Sequence, residues 1–183
     1  MTETLPQNDW LLKAGRFGSL TARYFLLGVA ILCGLIAVLA VIASAVQVFV
    51  PDVFDRIEDE SLNLAETLGI AALLALLTYV LWLGSRFFLL LTQIIETVGE
   101  GDPFIEENAN RLRSMGLINL IIFAISALAV AGIVAFSGIF DTTAEDLTLE
   151  VSFESLFLAV LLFILSRVFR HGAIMREDLE GTV

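Results

Sequence analysis

The sequence has few of the residues that soluble enzymes use for chemistry. Its 183 residues include one cysteine and one histidine, and the single cysteine, Cys33, excludes an intrachain disulfide and a cysteine-based metal site. His171 stands beside Arg170 without the orienting partner that a catalytic triad requires, so we interpret it as a solvated side chain. No catalytic, metal-binding or phosphate-binding motif is recognisable. We therefore expect no enzymatic activity, no cofactor and no direct contact with nucleic acid.

Charge is nearly absent from four long segments of a chain that is 58% hydrophobic and 17% charged. Soluble domains have about 45–50% apolar and about 25% charged residues. A helix needs about 20 apolar residues to cross a hydrocarbon layer about 30 Å thick. The sequence therefore predicts four membrane-spanning helices, at about residues 24–50, 68–91, 115–139 and 151–169. The first run is longer than the apolar region of a signal peptide, so we expect it to be retained.

These segments predict an all-α fold, an integral membrane four-helix bundle made of two in-out-in helical hairpins. Residues 1–23 form a cytoplasmic or interfacial N-terminal segment, and residues 170–183 form a cytoplasmic tail. Within the first of these, residues 10–23 alternate apolar and basic positions as an amphipathic helix on the headgroups does. The predicted anchors at the membrane interface are Trp10, Arg86 and Arg167.

Basic residues are concentrated on one side of the predicted spans. Of the ten Lys and Arg residues, only Arg56 lies in a segment that the alternation of spans assigns to the other side. The positive-inside rule makes the side with the other nine cytoplasmic. Because four spans return the chain to its starting side, both termini are predicted to be cytoplasmic.

The two hairpins resemble each other in sequence. Phe54-Asp55 begins the first outer loop and Phe140-Asp141 begins the second, and the matching helices end in Ser85-Arg86-Phe87-Phe88 and Ser166-Arg167-Val168-Phe169. A duplication would give a parallel repeat about an axis along the membrane normal. The alternative is that any two such hairpins acquire acidic loops and a terminal arginine, and the sequence leaves both interpretations open.

The loop between the hairpins has the clearest local signals. Gly99 and Gly101 interrupt the preceding helix, Asp102 is placed as an N-cap, and Pro103 suits the first helical position. These residues predict a cytoplasmic helix at about 103–114 that continues into the third span. The helix is either an elbow that reverses the chain or a docking surface for a cytosolic protein. The candidate docking residues are Asp102, Pro103, Phe104, Glu106, Glu107, Arg111 and Arg113.

Apolar side chains within this loop favour docking. Phe104 and Leu112 give the predicted helix more apolar surface than a solvated connector needs. The competing interpretation is that both side chains pack on the inner ends of the spans, which would use the same surface within the chain.

Three segments resemble one known family. Gly101-Asp102-Pro103-Phe104, residues 107–113 and the tail from Met175 to Val183 are similar to the bacterial membrane family called domain of unknown function 2975, and the resemblance extends over the whole chain. It implies a protein of the bacterial inner membrane, with no established catalytic residue to carry over. Members are often encoded beside small helix-turn-helix regulators. This implies a membrane component that either binds a cytosolic transcription factor or senses a signal on its behalf.

Two functional hypotheses follow. The first is a non-enzymatic membrane regulator or interaction protein that docks a cytosolic protein, such as a helix-turn-helix regulator, on its cytoplasmic face. The alternative is a small transporter or channel that works as a homo-oligomer. The hairpin resemblance supports this alternative, whereas the scarcity of polar residues at span depth counts against it.

The predicted orientation can be tested by thiol labelling in intact cells. In a Cys33→Ser background, Asp55→Cys and Glu145→Cys are expected to react with a membrane-impermeant reagent, because both positions lie on the predicted outer side. Arg113→Cys is expected to react only after the cells are permeabilised. The opposite labelling pattern would overturn the topology.

Overall fold

Four helices make up the fold. The computed structural model describes residues 10–49, 64–136 and 153–180, and within these ranges the chain is helical except at residues 100–105 and contains no strand. The helices are α1 Trp10–Phe49, α2 Leu64–Gly99, α3 Glu106–Phe136 and α4 Phe153–Glu180. The all-α prediction is confirmed.

All four helices have the length and apolar composition needed to cross a membrane, which fits a multi-pass membrane protein. They contain 40, 36, 31 and 28 residues, whereas a crossing needs about 20. At a rise of about 1.5 Å per residue, α1 is about 60 Å long, twice the thickness of the hydrocarbon layer. The helices therefore continue past the apolar runs that predicted them. The predicted span ends at 50, 139 and 151, and the outer loops of the suspected repeat, lie outside the described residues.

The segment predicted as an interfacial helix is continuous with the first span. Residues 10–23 are the first turns of α1, without a break before the apolar run. One side of this segment packs on the last turns of α2, where the hydroxyls of Ser19 and Thr92 are 2.8 Å apart and Arg16 forms a 2.9 Å ion pair with Glu96. The segment is thus fixed by another helix of the same chain, and its contact with headgroups stays a prediction.

The described residues form two compact units. The first contains residues 10–25, 83–124 and 153–180, and therefore holds the central loop. The second contains residues 26–49, 64–82 and 125–136. Helices α1, α2 and α3 each contribute residues to both units.

A small apolar core holds the first unit together. Ile94 of α2, Leu112 and Met115 of α3, and Leu162 of α4 are buried against one another. Leu112 and Met115, three residues apart, lie on one face of α3. On the same helix, Gly116 allows close approach of α4, since a Cβ there would lie 3.1 Å from the ring of Phe163.

The second unit packs around small and aromatic side chains. Gly34 of α1 faces Thr78 of α2, whose hydroxyl donates to the carbonyl of Leu74 one turn earlier. The rings of Tyr79 and Trp82 stack with their centroids 5.9 Å apart. Gly34, Thr78, Tyr79 and Trp82 border a groove of about 380 Å³. No charged side chain is among the described residues that line this groove.

The close contact at Gly116 predicts a large difference between two glycine substitutions in α3. Gly116→Ala is expected to lower the free energy of unfolding by about 1–3 kcal/mol, because the new methyl group would press on Phe163 and on the Ala159 carbonyl. Gly132→Ala is the matched control, since nothing lies within 4 Å of its Cβ position. Thermal unfolding in detergent measures both, and equal melting temperatures would contradict the close packing of α3 on α4.

Candidate functional site

The end of α2 is closed by a glycine in the left-handed conformation. Gly101 has φ 86°, which a residue without a Cβ adopts most easily. The amide of Gly101 donates to the Val98 carbonyl at 3.1 Å, and the amide of Asp102 donates to the Thr97 carbonyl at 3.0 Å. This pair of bonds is the Schellman motif, which satisfies carbonyls at a helix end. The predicted role of Gly101 in ending the helix is confirmed.

The predicted start of the next helix is wrong by three residues. Helix α3 begins at Glu106, with the amides of Asn108 and Ala109 donating to the Ile105 carbonyl at 3.1 and 3.4 Å. Asp102 therefore does not cap a helix from Pro103, and its carboxylate instead pairs with the guanidinium of Arg176 in α4. Residues 102–105 lie outside the helix. The first turn still contains Glu106 and Glu107, where the helix dipole favours acids.

Asn108 joins the two sides of the chain reversal. Its side chain is fully buried, and its amide nitrogen donates to the Thr97 hydroxyl at 2.7 Å and to the Pro103 carbonyl at 2.9 Å. Its amide oxygen accepts a 2.7 Å hydrogen bond from Arg111. Both amide hydrogens and the oxygen are therefore satisfied, as burial of a polar group requires. One side chain thus links α2, the loop and α3.

Arg111 takes part in the same network. The nitrogen that donates to Asn108 also donates to the Gln93 carbonyl of α2 at 3.4 Å. A hydrogen bond from a charged donor contributes about 1.5–3 kcal/mol, more than a neutral one. Arg111 is a candidate docking residue that the structure places inside the elbow.

Helix α4 is attached to the loop by hydrogen bonds to the start of α3. The hydroxyl of Ser166 donates to the Ala109 carbonyl at 2.7 Å, and a guanidinium nitrogen of Arg170 donates to the side-chain oxygen of Asn110 at 2.9 Å. The Ser166 bond is buried, whereas the Arg170 bond is exposed to solvent. The buried bond fixes how α3 and α4 are aligned along their axes.

The apolar loop residues that favoured docking pack within the chain. The ring of Phe104 lies 5.2 Å from that of Phe169 and so close to α4 that a Cβ at Gly172 would be 2.7 Å from it. Leu112 belongs to the buried core, although Phe104 itself remains partly exposed. The competing interpretation, in which these residues pack on the ends of the membrane-spanning helices, accounts for both contacts.

The remaining charged candidate residues are exposed to solvent. Glu106, Glu107 and Arg113 are exposed and form no ion pair or hydrogen bond within the described part of the chain, while Pro103 is half-buried in the elbow. The three predicted anchors, Trp10, Arg86 and Arg167, are also exposed. Among residues 10–49, 64–136 and 153–180, no group of three His, Cys, Asp or Glu side chains could hold a metal ion.

Comparison with known proteins identifies the family. The sequence profile described as "Protein of unknown function (DUF2975)" matches residues 56–183, more than two thirds of the chain. The chain belongs to the DUF2975 family. No curated protein and no solved structure matches it. The match begins at Arg56, so α1 lies outside it, although the resemblance was expected over the whole chain.

Several network residues of this DUF2975 chain were not predicted as site residues. Thr97, Ser166 and Arg170 carry no local signal, because their partners come from other helices. Asn108 does carry one. It precedes Leu112 by four residues and Met115 by seven, which places an amide on the apolar face of the helix. A polar residue at such a position indicates a buried hydrogen-bond network.

The network predicts that two neighbouring asparagines differ greatly in importance. Asn108→Ala is expected to destabilise this DUF2975 protein by at least about 2 kcal/mol, because the change removes three hydrogen bonds at a fully buried position, to the Thr97 hydroxyl, the Pro103 carbonyl and Arg111. Asn110→Ala, which removes one exposed bond, is expected to cost less than about 1 kcal/mol. Unfolding in detergent and limited proteolysis of the loop measure the difference, and equal effects would contradict the central role of Asn108.

Proposed function

We propose that this chain is a non-enzymatic protein of the bacterial inner membrane that docks a soluble protein on its cytoplasmic face. In this proposal both termini and the central loop are cytoplasmic. The distribution of Lys and Arg supports the orientation, because nine of the ten fall on the side of the termini. The docked protein is a small helix-turn-helix regulator, the class of neighbour that the family resemblance implies.

The observation that carries the proposal is a charged surface held by a fixed backbone. Glu106, Glu107 and Arg113 form the loop-helix surface, which is exposed and has no partner within the described residues. The turns that present it are fixed by the buried Asn108 and by the bond from Ser166 to the Ala109 carbonyl. A surface that is already ordered loses little entropy on binding, which favours affinity.

The chemistry of the loop-helix surface defines the partner that would fit it. Two adjacent carboxylates in the first helical turn select a basic counterpart, and Arg113, about 10 Å further along the helix, selects an acidic one. Complementary charges of this kind raise the association rate and weaken with salt. A cytosolic protein bound here would be retained at the membrane, which would lower its concentration on chromosomal DNA.

The experiment compares two charge reversals in matched positions. Glu106→Lys and Glu154→Lys each place a lysine in the first turn of a helix, α3 or α4, so both lose the same favourable dipole interaction. Only Glu106 belongs to the loop-helix surface, and like charges across an interface cost several kcal/mol. Crosslinking in native membranes is expected to recover the regulator with the unmodified chain and with Glu154→Lys, but not with Glu106→Lys.

A transcript measurement provides the second readout. Genes controlled by the released regulator are expected to change in Glu106→Lys cells and to stay at the original level in Glu154→Lys cells. The proposal fails if the two variants recover the same proteins and leave the same transcript levels. Recovery of the chain crosslinked only to itself would support the homo-oligomer of the alternative hypothesis.

A further inference from the structure

Two arginines differ from the other lysines and arginines that the structure describes. Nine Lys and Arg side chains lie in the described ranges, and seven of them interact within the chain. Arg16, Arg23, Arg111, Arg170 and Arg176 contact Glu96, the Tyr24 ring, Asn108, Asn110 and Asp102, and Lys13 and Arg86 also have partners. Arg113 and Arg167 are the remaining two, and both are exposed.

The alignment of α3 and α4 brings these two arginines to one seam. Helices α3 and α4 run antiparallel and touch at two heights along their axes. Ser166 binds the Ala109 carbonyl at one height, and Gly116 contacts Ala159 at the other. Arg113 lies on α3 between these two contacts, and Arg167 directly follows Ser166 on α4. At about 100° per residue, both positions fall on the same flank of the seam, opposite the flank on which α2 packs. Arg170, one turn beyond Ser166, lies beside them.

The same flank continues as apolar surface. Leu117 follows Arg113 by one turn of α3, and Val160 and Ile164 precede Arg167 on α4, in the direction of the apolar runs. All three are exposed in the isolated chain. A cationic end followed by an apolar stripe matches the headgroup and the acyl chain of a lipid.

One acid must be considered on this flank. Glu106 lies on the same face of α3 as Arg113, two turns and about 10 Å from it on the side opposite the apolar stripe. The bond from Ser166 to the Ala109 carbonyl places Glu106 within about one turn of Arg167 along the seam. The other nearby acids, Asp102 and Glu96, are engaged with Arg176 and Arg16. With Arg170, three arginines and one glutamate lie on this flank, so its local charge is positive although the whole chain has a net charge of −11.

We propose that Arg113 and Arg167, assisted by Arg170, bind the phosphate of an anionic phospholipid whose acyl chain lies along Leu117, Val160 and Ile164. Guanidinium groups bind phosphate oxygens in a bidentate fashion, and basic pockets between membrane helices bind anionic headgroups. The inference rests on the proposed placement in the membrane and not on the docking of a regulator.

The test uses the full chain in lipid nanodiscs. Nanodiscs contain either phosphatidylcholine alone or phosphatidylcholine with one quarter phosphatidylglycerol, and native mass spectrometry counts the lipids that stay bound. The unmodified chain is expected to retain phosphatidylglycerol in preference to phosphatidylcholine. In Arg113→Gln/Arg167→Gln, the affinity for phosphatidylglycerol is expected to fall on the order of 30-fold, the effect of losing two arginines at a membrane surface.

The matched control removes the same charge elsewhere. Arg16→Gln/Arg23→Gln lowers the net charge equally but leaves the α3–α4 seam intact, so it is expected to retain phosphatidylglycerol. The inference is overturned if this control loses as much lipid as the seam variant, since attraction would then be unspecific. It is also overturned if inorganic phosphate displaces the lipid at millimolar concentration, which would indicate a free-anion site.

Two further measurements keep the outcome interpretable. Thermal unfolding in phosphatidylcholine alone verifies that the seam variant is folded, and if it is not, Arg113→Gln and Arg167→Gln are tested singly, each with an expected loss of lipid. Recovery of the cytosolic regulator with Glu106→Lys is scored separately. Because Arg113 belongs to both proposed surfaces, Arg167→Gln alone separates the two proposals: it is expected to lose lipid preference and still to recover the regulator. Unchanged lipid preference in Arg167→Gln overturns the lipid site, whereas docking is judged by Glu106→Lys.

Discussion

The carboxamide of Asn108 lies where the chain turns from α2 into α3, and the geometry of the loop depends on it. A buried amide without partners would cost about 1–3 kcal/mol for each unsatisfied group, so Thr97, Pro103 and Arg111 must stay within hydrogen-bond distance. That requirement fixes the end of α2 relative to the start of α3. The Ala109 carbonyl, one residue later, then lies where Ser166 can donate to it, which aligns α4.

The parts of this fold that sequence reasoning could predict depend on neighbouring residues. Long apolar runs predicted the four helices, and Gly101 predicted the end of α2, because each signal is contained in a few turns. The start of α3 was predicted wrongly because the partner of Asp102 is Arg176, 74 residues further along the chain. A local N-cap contributes about 1 kcal/mol, and in its place the structure has Asp102 paired with Arg176 and Phe104 packed on Phe169. No pattern within the loop could reveal these partners from α4.

The candidate docking residues divide according to the side of the helix on which they lie. Arg111 and Arg113 are two residues apart, hence about 200° around the helix, so one reaches Asn108 while the other reaches solvent. Charge and motif membership alone do not distinguish them. The same division occurs in the two Ser-Arg-x-Phe segments, where Ser85 and Ser166 are buried and Arg86 and Arg167 are exposed. This correspondence agrees with an internal repeat, although the outer loops that would complete the comparison lie outside the described residues.

The attachment of α4 to the loop also bears on how the protein is made. The side chains of Asp102 and Phe104 obtain their partners from Arg176 and Phe169, which leave the ribosome after the first three helices. The backbone of the loop is bound by Thr97 and Asn108, which leave it earlier. The loop backbone thus has its partners before α4 is made, whereas these two side chains gain theirs only afterwards. Residues 102–105 therefore acquire all of their contacts only when synthesis of the chain is nearly complete.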